Sequence, residues 1–155
     1  MTFEQLKNEF PDATPETWHV HQNGGGWVQN TATVTDSAYV GPDAVVFENA
    51  AVSEDAVVSG YARVSGNAVV SGDAQVFKNA RVFGEAQVYG FAWVGGEAQV
   101  FENAQVFDDA KVFDESIVSG RSMVAGNAMV YGDAQVSGRS LVFGDTVVSG
   151  NKIID

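Results

Sequence analysis

The chain has 155 residues, 45% of them apolar, which suffices for one domain with a real core and argues against disorder despite 17 glycines. It contains no cysteine, so a disulfide framework and a thiolate metal site are both excluded. Twenty acidic residues against eight basic ones leave a net charge of −12, which argues against direct binding to nucleic acid or to an anionic membrane and leaves a basic partner or plain solubility as readings.

The opening stretch, MTFEQLKNEF, has neither a basic n-region nor an apolar h-region, and no apolar run approaches the about 20 residues that cross a bilayer, so the expected location is the cytoplasm. Thr2 and Gln5 form a capping-box pattern, Phe3, Leu6 and Phe10 share one helical face, and Pro11 stops the helix. Residues 2–10 therefore read as a helical lid over the N-terminal end of the structure that follows. Next comes PDATPETWHVHQNGGGWV, with Gly24, Gly25 and Gly26 as a turn, so residues 1–26 form a capping helix and lead-in. His19 and His21 are two apart and would share a strand face, where they would hold a metal only with a third ligand; the alternative is a cap strand with partly exposed histidines. The glycine triplet has no Lys and no following helix, so it is not a phosphate-binding loop. No nucleophile elbow and no dinucleotide fingerprint occurs, and the expectation is no cofactor and no metal.

From Val28 the chain repeats. Every sixth residue through Val148 is Val and Ile154 closes the series, 22 consecutive aliphatics. Two residues before them, from Ala32 to Thr146, stand 16 Ala, three Ser and one Thr. Small-x-Val has period two, so the small residue and Val share an inward face and x, often Gln or Arg, points out. Gly stands two after Val at 12 sites, and Asp, Asn or Glu stands next at 15, which suits a corner. Each hexad is a short strand followed by a bend.

VSGDAQ and VFGEAQ fit the consensus of hexapeptide-repeat proteins, and in this respect residues 28–154 resemble that family. The resemblance implies an all-β fold: a left-handed parallel β-helix of about seven triangular 18-residue coils, spanning residues 27–155 behind the short N-terminal capping helix. Handedness comes from the resemblance alone, because parallel crossovers are otherwise right-handed. Many members are acyltransferases with a His base, often beside a loop that interrupts the coils. Here no loop interrupts them and no His lies within them. The family's carbonic anhydrases need three zinc-binding His, and this chain has two.

Outward positions become apolar late in the chain, at Ile117, Met123, Met129, Leu141, Val147 and Ile153, which suggests a homodimer through the C-terminal coils; the alternative is that each residue merely suits a strand. With an 18-residue period one corner collects Asp36, Glu54, Asp55, Asp73, Asp108, Asp109 and Asp145 into an acidic ridge. Its readings are solvated turns or a rod imitating the phosphate line of DNA for a partner with a basic surface. Aromatics at Phe83, Tyr89, Trp93, Phe101, Phe107 and Phe113 form a mid-rod belt that either reinforces rungs or grips a protein. The NGGGWV lead-in followed by uninterrupted hexads is similar to small repeat proteins of phages and prophages. That likeness implies a non-catalytic binding or scaffold rod acting in the host cytoplasm as an acidic inhibitor of a nucleic-acid-handling protein. The alternative is an acyltransferase using an acyl-CoA donor, with His19 or His21 as base.

Overall fold

The computed structural model describes residues 1–155. Each small-x-Val phrase is a two-residue strand: in Gln75–Val76, Ala74 and Val76 are fully buried while Gln75 lies outside, half-buried. Strands eighteen residues apart pair in parallel, as Gln75 with Trp93 and Val76 with Val94. The chain thus winds into a parallel β-solenoid with three sheets of nine, seven and seven strands. After the helix α1 (Phe3–Glu9), the first sheet runs from β1 (Trp18–Val20) and β2 (Trp27–Gln29) to Ile153–Ile154. The second runs from β3 (Thr33–Val34) to Leu141–Val142, and the third from β4 (Tyr39–Val40) to Val147–Val148. A rise of about 4.8 Å per coil makes seven coils about 35 Å long.

The interior is one cluster of 35 buried residues, all Val or Ala. Each buried Val gains about 1.5–3 kcal/mol gross, much of it offset by ordering entropy. Where Ser or Thr replaces Ala, its hydroxyl donates to the carbonyl three residues back: Ser116 to Phe113, Ser122 to Ser119, Ser140 to Ser137 and Thr146 to Phe143, at 2.7–2.8 Å. A polar atom enters the wall satisfied, so the column tolerates it.

The corners follow a rule of their own. From Glu48 onward every second residue after Val has positive φ, and six of these are not glycine: Glu48, Glu54, Lys78, Glu102, Asp108 and Asp114. In each case glycine stands eighteen residues on. Four of the acids use that neighbour, accepting a hydrogen bond from its amide: Glu48 from Gly66 (2.5 Å), Glu102 from Gly120 (2.6 Å), Asp108 from Gly126 and Asp114 from Gly132 (both 3.2 Å). In the first coil Asn30, Asp36 and Pro42 lack positive φ, and hydroxyls substitute there. Thr31 Oγ1 donates to Glu48 O at 2.5 Å and Ser37 Oγ to Glu54 O at 2.6 Å, a task that amides such as Asn49 N–H to Gly66 O perform later.

The N-terminal segment departs from the expected lid. The capping box at Thr2 and Gln5 is present, but α1 lies on the flank of the first sheet and not across the tube opening. Leu6 is buried with Ala13, Trp18 and Val45, and Phe3, Phe10, Trp27 and Phe47 pack around them; Trp27, Val45 and Phe47 are outward positions of the first two coils. Glu9 pairs with Arg63 and the N-terminal ammonium with Asp43, both at 2.5 Å. The helix went where apolar surface was already displayed. The opening is closed instead by β1, antiparallel to β2, and by residues 23–26: Val40 N–H donates to Asn23 O and Gly26 N–H to Val40 O. Gly24, at φ +115°, presses so closely on the Val40 carbonyl that a side chain would collide with it.

Candidate functional site

The third sheet shows outward, from the third coil to the sixth, Gln75, Trp93, Lys111 and Met129, paired in register. Two residues before each, on the corner shared with the second sheet, stand Asp73, Phe91, Asp109 and Asn127. These two columns of four line one groove of about 770 Å³. Phe91 is 58% exposed and Trp93 41% exposed. The Lys111 ammonium lies 4.9 Å from the centre of the Trp93 ring, a cation–π contact, and Phe77 meets Trp93 edge-on at 6.2 Å. Gly95 makes room for that arrangement, because any side chain there would run into the Phe77 ring. A second hollow of about 310 Å³ opens on the other side of Trp93, between Phe77 and Phe113.

The acids Asp36, Glu54, Asp55, Asp73, Asp108, Asp109 and Asp145 are all exposed along the corner between the second and third sheets. The chain's only ion pairs are Arg63–Glu9 and the N-terminus with Asp43, so none of the seven is neutralised within the chain. The ridge is discontinuous. Phe91 stands between Asp73 and Asp109, and Asn127 between Asp109 and Asp145, to whose carboxylate it donates at 3.0 Å.

The aromatic belt resolves into three parallel stacks, one per corner: Phe83 on Phe101 and Tyr89 on Phe107, each with centroids 4.9 Å apart, and Phe113 on Tyr131 at 5.2 Å. All six rings are half-buried, and they surround the rod without making a common face. Burial, and secondarily the Asp108 carboxylate, push the Tyr89 phenol above its ordinary range. Of the belt residues only Trp93 belongs to the groove.

The other expected site residues are dispersed. His21 is buried, and its Nε2 donates to Ala38 O at 2.9 Å; His19 Nδ1 meets Asn30 Oδ1 at 2.7 Å. Both rings thus tie the lead-in to the first coil. No group of three His, Cys, Asp or Glu is placed to hold a metal. Ile117 and Ile153 lie on the first sheet, Met123 and Leu141 on the second, Met129 and Val147 on the third, so the late apolar positions form a ring and not a patch. Among them Leu141, Val147 and Ile153 are exposed.

Sequence reasoning did not single out Phe91, Gln75, Lys111 or Asn127. The signal was an aromatic at the corner position that usually carries Asp, Asn or Glu. A family described as the YdcK beta solenoid repeat matches at residues 62–78 and 124–138. The chain is similar to it over those two stretches, which flank the groove's aromatic pair without including it. No curated protein matches the chain. No helix is long and apolar enough to cross a membrane.

Proposed function

We propose that this protein is a non-catalytic binding rod whose acidic corner occupies the basic groove of a nucleic-acid-handling protein, as a phage-encoded inhibitor standing in for DNA would. The observation that carries this reading is seven exposed, unneutralised carboxylates between Asp36 and Asp145. Six coil rises of about 4.8 Å separate the ends, so the seven charges average about 4.8 Å apart, against about 3.4 Å per phosphate along one DNA strand, with the rungs of Phe91 and Asn127 lacking an acid. A rigid rod loses little conformational entropy when it docks, so that spacing is held without cost. Self-association belongs to the same proposal: Leu141, Val147 and Ile153 are exposed around the C-terminal end, and a homodimer through the C-terminal coils would cover part of that ring. A monomer mass by light scattering at micromolar concentration would remove that part.

The test is capture from bacterial lysate at low salt by the wild-type protein and by the variant Asp55→Asn/Asp73→Asn/Asp108→Asn/Asp109→Asn. Proteins held by the wild type, released by duplex DNA or raised salt and ignored by the variant support the reading. Retention indifferent to both the variant and DNA overturns it.

A further inference from the structure

The corner column between the second and third sheets places Phe91 one rung above Asp73 and one rung below Asp109. Phe91 is exposed, and neither carboxylate has an ion pair or a side-chain hydrogen bond. In the neighbouring column of the same groove, Trp93 is already capped by the Lys111 ammonium. Phe91 therefore has the chemistry of a cation–π platform flanked by two carboxylates, with no cation of this chain upon it.

We propose that this groove receives an arginine side chain of the protein partner, its guanidinium flat on the Phe91 ring and its N–H donors shared between Asp73 and Asp109. The inference rests on the reading of the rod as a ligand for basic proteins and names the residue that anchors it. The geometry favours arginine over lysine. Two rungs set the flanking Cα atoms about 9.6 Å apart, which accommodates a planar fork with a charge-assisted bond of about 2.8 Å at each side. An ammonium is a compact point charge that cannot lie on the ring and reach both carboxylates at once. Lys111 does not compete for the place, because it occupies Trp93, and two carboxylates outnumber its single charge. The charge of the surrounding ridge draws a basic partner in, and the Phe91 platform fixes where one of its side chains stops.

Calorimetric titration with N-acetyl tetra-arginine amide and the matching tetra-lysine amide tests this. The wild type should bind the arginine peptide about fivefold more tightly. That preference should vanish in Phe91→Leu, which keeps apolar bulk at an exposed position, and in Asp73→Asn/Asp109→Asn. The control Asp36→Asn/Asp55→Asn/Asp145→Asn should weaken both peptides alike and leave their ratio intact. A wild-type ratio near one, or a ratio that survives Phe91→Leu, overturns the arginine site. If the control still weakens both peptides in that case, the acidic-rod reading stands without it. A preference that depends on Phe91 in a protein whose ridge control binds unchanged supports the arginine site and removes the ridge.

Discussion

Two aromatic patches decorate the outside of this rod, and they meet opposite ends. On the first sheet Trp18, Trp27, Phe10 and Phe47 are gathered under α1, with Leu6 at the centre of the cluster and Trp18 only 5% exposed. On the third sheet and its corner Trp93 and Phe91 stand open beside Asp73 and Asp109, and the chain supplies only Lys111 and the edge of Phe77, both to Trp93. Trp27 and Phe47 of the first patch and both rings of the second sit on outward positions of the same repeat, whereas Phe10 and Trp18 come from the segment before it. Their difference teaches that the repeat dictates where a side chain points, while the non-repeating N-terminal segment decides which surface is consumed.

The largest test of that contrast is to remove one tryptophan from each patch. Trp18→Ala should cost about 3–5 kcal/mol of docking energy for the N-terminal segment, whereas Trp93→Ala, facing solvent, should cost under about 1.5 kcal/mol. Hydrogen exchange of residues 3–29 against that of the middle coils would report both; equal effects would abolish the distinction between a covered and an open patch. Next in size, Gly95→Ala should keep the fold but push the Phe77 ring aside, at about 1 kcal/mol, because the obstacle is the far end of a movable side chain. Loss of the nuclear Overhauser contact between Phe77 and Trp93 would register it. Smaller still, Glu9→Gln removes the half-exposed pair with Arg63 and should weaken helix docking by about 0.2–1 kcal/mol at low salt and not at all near 1 M. A salt-independent loss would show that the contact acts by packing.

The smallest effect is confined to alkaline solution, at the stack bordering the open patch. Tyr89 holds its proton more tightly folded than unfolded, so the unfolded state ionises first and stability falls as pH rises through about 10. Below that pH the contribution is complete. Phe at position 89 should flatten this part of the profile, and an unchanged alkaline slope in denaturant melts would show that Tyr89 does not cause it.

Much of the fold was legible because one residue type, Val, marks every turn of the coil without a slip, and a six-residue period admits neither a helix nor a simple hairpin. The stacks of Phe83 on Phe101 and Tyr89 on Phe107 followed from the eighteen-residue register by arithmetic. The resting place of α1 did not. An amphipathic helix seeks apolar surface, and the sequence offered both an open tube end and the trio Trp27, Val45 and Phe47. Only their closeness across two coils, on outward positions, pointed to the flank. The groove was hidden for a related reason: Phe91 looks like an isolated exception until Asp73 and Asp109 are set above and below it. Asp108 reads in the sequence only as a ridge charge, but its carboxylate also accepts from the Gly126 amide on the next coil.

Inward positions recur every six residues, whereas outward neighbours recur every eighteen. Excising one hexad, residues 65–70 for instance, would leave every Val column filled and yet rotate all later surface features by a third of a turn. Folding would survive such a deletion while recognition was scrambled, whereas loss or duplication of a whole coil would keep the edges aligned and change only the reach of the display. A lineage of such rods is therefore free to lengthen or shorten in single-coil steps, and frameshifted copies differing by one hexad are the natural way for it to acquire a different partner.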